Sequence, residues 1–462
     1  MIHVLTNLFL ADAPGPRRAR APRPVRAFVD FFRTEVAGGV LLFACAAVAL
    51  VWANSPSADA YFALWRTEVT VGGGPLVIAQ PLLRWINDGL MVLFFFILGL
   101  EIKREVLGGE LASPKKAALA MAGAVGGMVG PAGLYLALTL GDPARVGGWG
   151  IPMATGIAFA LGVVALLGPR VPLALKVFLT ALAIVDDLGV VLVIALFYTD
   201  ALAWGALGWA AAFFVALVVL NRMGVQWVPL YALLGLGLWA AMLDSGVHAT
   251  IAGVLAAMTI PATRRIDTPR FLDEARAHLA RVADGVRAGR AAPSAAQQDA
   301  IYALERACER AETPLQRVER RLHRVVALFV MPLFALANAG VALGGGGSLT
   351  DAAALGIMVG LVVGKPLGVF GAAWLAVRVG WAQRPAGVSW RQLFGVSLLT
   401  GIGFAMGVFI ATLAFDDPVL LDSAKLGVLV ASVLAGVAGY VLLRRSAPRP
   451  APVRAVSAEA AA

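Results

Sequence analysis

Two aspartates stand side by side in an otherwise apolar run: residues 181–189 read ALAIVDDLG, with Asp186 and Asp187 adjacent. A lysine, Lys365, interrupts another apolar run, GLVVGKPLGV over 360–369, and is followed by Pro366. Ionisable groups in such runs are costly to hold in hydrocarbon, so they mark function unless something else explains them. Neighbours on an α-helix project about 100° apart, so the two carboxylates cannot serve one small site in the same way. One can meet a cation while the other meets a different partner, and Lys365 is the obvious one. Burial raises the pKa of a carboxylic acid and lowers that of a lysine, whereas a bound Na⁺ favours the ionised carboxylate. Cation and proton then compete for one place, which, with alternating access, amounts to exchange of Na⁺ or Li⁺ for H⁺. Carboxylate, hydroxyl and carbonyl oxygens suit a hard cation, and no His/Cys cluster in the sequence suits a transition metal. A further acid, Asp88, stands near one end of the apolar run 86–106, with Glu101, Lys103, Arg104 and Glu105 at the other.

The elements that must position these residues are membrane helices. Of 462 residues, 60% are hydrophobic and 14% charged, and mean hydropathy is +0.82. That polar inventory is too thin to clothe a water-soluble surface of this size, so a soluble enzyme is excluded. Apolar runs recur near 36–54, 86–106, 117–140, 149–168, 172–198, 203–221, 228–243, 246–261, 325–343, 352–377, 392–415 and 424–443, about twelve helices in all. The fold class expected is therefore an all-α polytopic membrane protein. The apolar stretch 2–10 precedes its arginines and shows no cleavage site, so it is not read as a secretory signal.

An internal repeat singles out two of these spans. Residues 155–162 read TGIAFALG and 400–407 read TGIGFAMG, identical at six of eight positions, in the fourth and eleventh runs. Small-residue packing is the plainer explanation. Matched glycine-interrupted spans in two halves, however, mark the discontinuous helices of inverted-repeat transporters, whose half-helix ends face an ion site at mid-membrane. The eleventh run is seven spans on from the fourth, an odd step, so the copies run oppositely through the bilayer. Gly156, Gly401 and Gly403 are expected to carry the backbone through the two breaks, with Thr155 beside the first.

Charge sets the orientation. With the N-terminus cytoplasmic, about 33 of the 38 Lys and Arg fall on the inner side, and about three, Arg66, Arg84 and Arg145, outside. Both termini are expected inside, and the net charge of +10 needs no nucleic acid. The basic tails, 1–35 and 444–462, read as unstructured segments on the inner leaflet. Residues 262–324 form a charged cytoplasmic insertion with two helices around GRAAPSAAQQ, read chiefly as a solvated helical hairpin. TEVTVGGGPLVIAQ, 67–80, reads as a small external β-hairpin whose edge can pair with a second protomer. The cysteines, Cys45 and Cys308, lie in unlike environments and imply neither a disulfide framework nor a thiolate metal site.

These residues together resemble the NhaA family of bacterial sodium/proton antiporters. The resemblance rests on WINDGLMVLFFFILGLEIKRE at 85–105, IPMATGIAFALG at 151–162, VPLALKVFLTALAIVDDLG at 171–189 and SGVHATIAGV at 245–254. It continues through MPLFALANAGV at 331–341, GKPLG at 364–368, GIGFAMGVFIATLAF at 401–415 and AKLG at 424–427, covering nearly all of 36–443 in the family's order. It implies twelve helices in inverted repeats, with the fourth and eleventh broken and crossed, in the bacterial inner membrane. The activity implied is electrogenic, alkali-activated exchange serving sodium and pH homeostasis, with Na⁺, Li⁺ and H⁺ as substrates, no cofactor and no enzymatic step. By position Asp187 resembles the principal cation-binding aspartate, Asp186 its neighbour paired with Lys365, Thr155 the threonine of the first break, and Asp88 an aspartate of the cation path. Glu101, Arg104 and Glu105 resemble the cytoplasmic pH-sensing cluster; charges snorkelling at a helix end are the plainer reading. His248 falls in a family string too, where a hydrogen-bonded histidine at a helix start is the expectation.

One departure stands out. The family usually has an aspartate directly after the threonine of the first break, and this sequence has Gly156. Losing that carboxylate leaves the crossed half-helix ends more positive by one charge, so weaker cation affinity with exchange retained is expected. Two other functions compete. A non-transporting sensor descended from an antiporter is conceivable because of Gly156. An intramembrane aspartyl protease needs two carboxylates sharing one water from facing helices, which adjacent residues on one helix cannot supply.

Overall fold

A computed structural model describes residues 23–73, 76–199, 202–263, 268–287, 295–344 and 346–446. Among these residues, seven helices are continuous, long and apolar enough to cross a bilayer: α3 (Leu82–Gly108), α4 (Ala117–Thr139, extended back to Pro114), α6 (Leu173–Phe197), α7 (Trp204–Arg222), α12 (Pro314–Asn338), α13 (Ala352–Arg378) and α16 (Pro418–Ser446). Three more spans pass the same test only as bent pairs. α1 (Arg23–Ala53) turns by 114° into α2 (Ala58–Arg66), the segment Pro143–Met153 bends by 42° into α5 (Ile157–Leu167), and α14 (Trp390–Thr400) bends by 42° into α15 (Phe404–Ala414). Counting each bent pair as one span, the described residues reach ten by length and composition. The expected twelve would also need α8 (Val228–Leu243) and α9 (Ile251–Thr259), of 16 and 9 residues. At 1.5 Å per residue both fall well short of a hydrocarbon core about 30 Å thick. Mid-helix side chains such as Trp209, Val215, Leu233 and Val437 are exposed. In water that would be an untenable apolar face; in lipid it is the expected exterior.

Three boundaries differ from the sequence reading. Residues 23–35, expected within an unstructured tail, form the start of α1. Residues 444–446 likewise belong to α16, while the remainder of both tails lies outside the described residues. Of the stretch expected as the insertion, the helices described before Thr313 are α10 (Thr268–Arg287) and α11 (Ala295–Ala311). From Pro314 the chain is already in α12: the Thr313 hydroxyl accepts from Gln316 N–H while Gln316 accepts from Thr313 N–H, a reciprocal cap that starts the helix there. The strands β1 (Glu68–Gly73) and β2 (Leu76–Pro81) pair antiparallel, with Glu68 opposite Pro81 and Gly73 opposite Leu76; residues 74–75 between them lie outside the described set.

The tightest helix contact positions the lysine. α4 carries Gly126 and Gly130, α13 carries Gly364 and Gly368, and each set is spaced by four residues, so each presents one bare stripe. A Cβ on Gly126 would run into the Gly368 carbonyl, and one on Gly368 into the Gly126 carbonyl. Backbones in direct contact are the small-xxx-small mode of packing that substitutes in lipid for a hydrophobic driving force. Just before Lys365, α13 widens into a π-helical stretch, Gly360–Gly364, packed on Pro131 of α4 and Pro152. Such bulges cluster at functional sites, and this one brings Lys365, fully buried, into the middle of the protein.

Candidate cation-binding site

Asp186, Asp187, Lys365 and Thr155, separated by up to 210 residues in sequence, all lie buried at the centre of the bundle. Lys365 Nζ donates to Asp186 Oδ2 at 2.6 Å, and also to the Met153 carbonyl. The Thr155 hydroxyl donates to the same Asp186 oxygen at 2.7 Å and stands 3.2 Å from the Thr400 carbonyl. One oxygen of Asp186 thus receives an ammonium and a hydroxyl, while Oδ1 has no donor. Buried charges persist when paired and hydrogen-bonded, and Asp186 meets both conditions.

Asp187 is placed differently, as the 100° step on α6 requires. Its Oδ1 is buried without a hydrogen-bond partner, and the residue lines a cavity of about 80 Å³ together with Thr155, Gly156, Glu101 and His323. A carboxyl group with one oxygen buried and unpartnered, facing a small cavity, is a site that a cation or a proton can complete.

The two breaks meet beside this cavity. Gly156 N–H donates to the Ile402 carbonyl at 2.5 Å, and Phe159 stacks edge-on against Phe404 with centroids 5.2 Å apart. Between Thr400 and Phe404 the chain passes through Gly401, Ile402 and Gly403. None of Gly156, Gly401 and Gly403 has a positive φ, so glycine is not required there for a left-handed backbone. At Gly401 space is the reason instead, since a Cβ there would run into the Leu361 carbonyl; one on Gly156 would come to 3.1 Å from the Ile402 carbonyl, a tight contact rather than a block.

Glu101, Arg104 and Glu105 lie together at the end of α3, and the structure adds two members that the sequence reading missed. Arg104 reaches Glu105 at 3.2 Å and Glu319 at 2.8 Å, and His323 Nδ1 lies 3.6 Å from Glu101. Glu319 and His323 both fall within 262–324, which the sequence presents as the insertion; their i, i+4 spacing and the Thr313-x-x-Gln316 cap are the sequence signals that they sit on a span. Lys103, beside this cluster in sequence, instead donates at 2.6 Å to the carbonyls of Met258 and Ile260, where α9 ends.

Asp88 is not brought to Asp187. It lies 3.3 Å from Arg84 and lines a separate cavity of about 800 Å³, shared with Asn87, His248, Asn338 and Lys425. Arg145 lines neither cavity; it makes a two-nitrogen contact with Asp351, which caps α13, and also pairs with Asp142. The hydrogen bonds from Arg145 hold the Asp351 carboxyl below its ordinary range.

Spanning helices, two breaks in contact and a buried, partly unpartnered carboxylate facing a cavity define a polytopic membrane transporter for ions. The profile of the Na⁺/H⁺ antiporter 1 family matches residues 29–443. The chain is a member of that family. It is 51% identical over 442 residues to the Na(+)/H(+) antiporter NhaA of Oleidesulfovibrio alaskensis, covering 94% of this chain and 97% of the relative. It is 47% identical over 435 residues to the Na(+)/H(+) antiporter NhaA of Rhodospirillum rubrum, covering 93% and 99%. A third relative, the Na(+)/H(+) antiporter NhaA 2 of Syntrophotalea carbinolica, is 47% identical over 427 residues, covering 92% and 97%.

Proposed function

We propose that this chain exchanges Na⁺ or Li⁺ for H⁺ across the bacterial inner membrane, electrogenically and under control of pH, with Asp187 as the residue at which cation and proton compete. The observation that carries the proposal is the division of labour between neighbours: Asp186 is occupied by Lys365 and Thr155, while Asp187 faces a cavity with Oδ1 unpartnered. A cation entering that cavity gains the carboxylate and, from the breaks, hydroxyl and carbonyl oxygens, which are the ligands a hard cation prefers. A proton taking its place neutralises the same carboxylate.

In this reading the repeated TG-I-x-FA-x-G segments are inverted copies whose half-helices cross, both termini are cytoplasmic, and Asp88 belongs to the cation's route on the far side. The cluster of Glu101, Arg104, Glu105, Glu319 and His323 is the pH-responsive group, since two of its members share the Asp187 cavity. The β1–β2 edge is offered to a second protomer, as an unpaired strand edge allows. Family membership favours exchange over the sensor alternative that Gly156 had raised.

The test is fluorescence dequenching in everted vesicles on adding Na⁺ or Li⁺ across a pH series. Wild type should dequench and Asp187→Asn should not; identical traces would show that the exchange assignment is wrong. Arg104→Ala should move the midpoint of the pH profile while the maximal response is retained.

A further inference from the structure

The cavity that reaches Asp187 and the cavity that holds Asp88 share no lining residue. Three of the helices that run between them, α15, α12 and α3, pass from one to the other in about two turns. On α15, Met406 lines the first cavity and Thr412 the second; on α12, Met331 lines the first and Asn338 the second. On α3, Phe94 lines the first and Asn87 the second. Midway along α15 is Phe409, and midway along α12 is Phe334. On α3, Met91 lies between, and the ring of Phe95 joins it, because helical side chains lean toward the N-terminus, here toward Asn87. Phe409 packs on Phe95 with ring centroids 5.4 Å apart and on Phe334 at 6.2 Å. All three rings and Met91 are at most 1% exposed.

This apolar layer is closed on the Asp88 side by a polar one. Asn338 Nδ2 donates to Asn87 Oδ1 at 2.8 Å and Asn87 Nδ2 to Asn338 Oδ1 at 3.3 Å, a reciprocal amide pair joining α12 to α3 directly outside the rings. Asn338 also donates to the Phe334 carbonyl, which ties the pair to the aromatic layer.

We propose that Phe409, wedged between Phe95 and Phe334, is the residue that keeps ion access to Asp187 one-sided, with the Asn87–Asn338 pair as its latch. The proposal rests on the exchange reading for its consequence and on the packing alone for its existence. A hydrated ion cannot cross a dry aromatic layer without losing solvation that nothing there replaces. Exchange needs that barrier on one side of the carboxylate whenever the other side is open, because a passage open at both ends conducts the cation downhill without moving a proton. Phe409 lies on the broken span, on the half-helix that begins beside Ile402, so movement at the break would carry the ring with it.

The test separates the barrier from the transport. In a Cys45→Ser, Cys308→Ser background, Ala405→Cys puts a thiol on the Asp187 cavity one turn before Phe409. A membrane-impermeant thiol reagent is then applied to right-side-out and everted vesicles without Na⁺ or Li⁺. With Phe409 present, labelling should be fast from one side and slow from the other. Phe409→Ala should speed the slow side by about tenfold or more, a barrier loss of about 1.4 kcal/mol, and Phe409→Leu should not. The same Ala variant should take up radioactive Na⁺ down its gradient without the matching proton movement. If Phe409→Ala reaches the membrane folded and leaves the slow side slow, the proposal is overturned. Should it fail to fold, Phe334→Ala opens the same seam from α12 and decides by the same rates. Failure of wild-type exchange would sink the transport reading while leaving the labelling result intact.

Discussion

Lys365 Nζ lies 2.6 Å from Asp186 Oδ2, both side chains fully shielded from solvent, whereas the next residue, Asp187, has no such partner for its Oδ1. One helical step thus separates a carboxylate engaged by an ammonium and a hydroxyl from one whose Oδ1 is buried without a partner.

The pair should therefore behave as a structural element whose halves depend on each other. Removing one partner of a buried ion pair costs about 3–5 kcal/mol, because the survivor is left charged and buried. Asp186→Asn and Lys365→Met should each lower the thermal midpoint of the purified protein in detergent. The double substitution should recover most of that loss, since neither charge is then stranded. A double variant no more stable than the singles would show that the pair is not coupled.

Gly156 offers a gain rather than a loss. Its φ of −86° suits any residue, and an added Cβ would come to 3.1 Å from the Ile402 carbonyl, a contact that a shift of a few tenths of an ångström relieves. Gly156→Asp should lower the Na⁺ and Li⁺ concentration giving half-maximal dequenching by several-fold, through the negative charge it adds beside the half-helix ends. Gly156→Ala controls for the volume and should leave affinity where it was. Equal affinities in all three proteins would remove the electrostatic account of this position.

The glycine seam between α4 and α13 should tolerate no side chain. Gly368→Val forces the backbones apart at the Gly126 carbonyl and carries Lys365 away from Asp186 and Met153. Loss of thermal stability comparable to other overpacked cores, about 1–3 kcal/mol or more, and loss of exchange are both expected. Gly371→Val, on the same helix, where an added Cβ meets nothing within 4 Å, is the control.

The Arg145–Asp351 contact makes a prediction about acid. Arg145 holds the Asp351 carboxyl below its ordinary 3.8, so the folded state binds that proton less readily than the unfolded one. The stabilisation is then complete above the ordinary value and is lost as pH falls through the depressed one. Asp351→Asn keeps the cap on α13 and removes the charge. It should cost roughly 1 kcal/mol near neutrality, and the gap between wild type and variant should close in the acid range. Thermal midpoints measured from neutral pH downward decide it: a gap that persists below the depressed value would assign the stabilisation to packing.

Much of this was legible in one dimension. Apolar runs long enough to span a bilayer must be helical, because unsatisfied backbone groups are too costly in hydrocarbon. Asp186, Asp187 and Lys365 stood out for the same reason, as charges in places where charge is expensive. The repeated segments at 155–162 and 400–407 marked the breaks, and the 100° step already divided Asp186 from Asp187. Which neighbour is occupied depends on where α13 lies against α6, and no periodicity on α6 carries it: the resemblance implied Asp186, and the tertiary structure places Lys365 on it. It also supplied what has no side-chain signature: the Met153, Thr400 and Ile402 carbonyls at the site. Glu319 and His323 joined the α3 cluster only once a helical cap placed them on a span. The same held for Phe95, Phe334 and Phe409. In sequence they are three more phenylalanines among 22; packing three helices side by side turns them into a wall between two cavities.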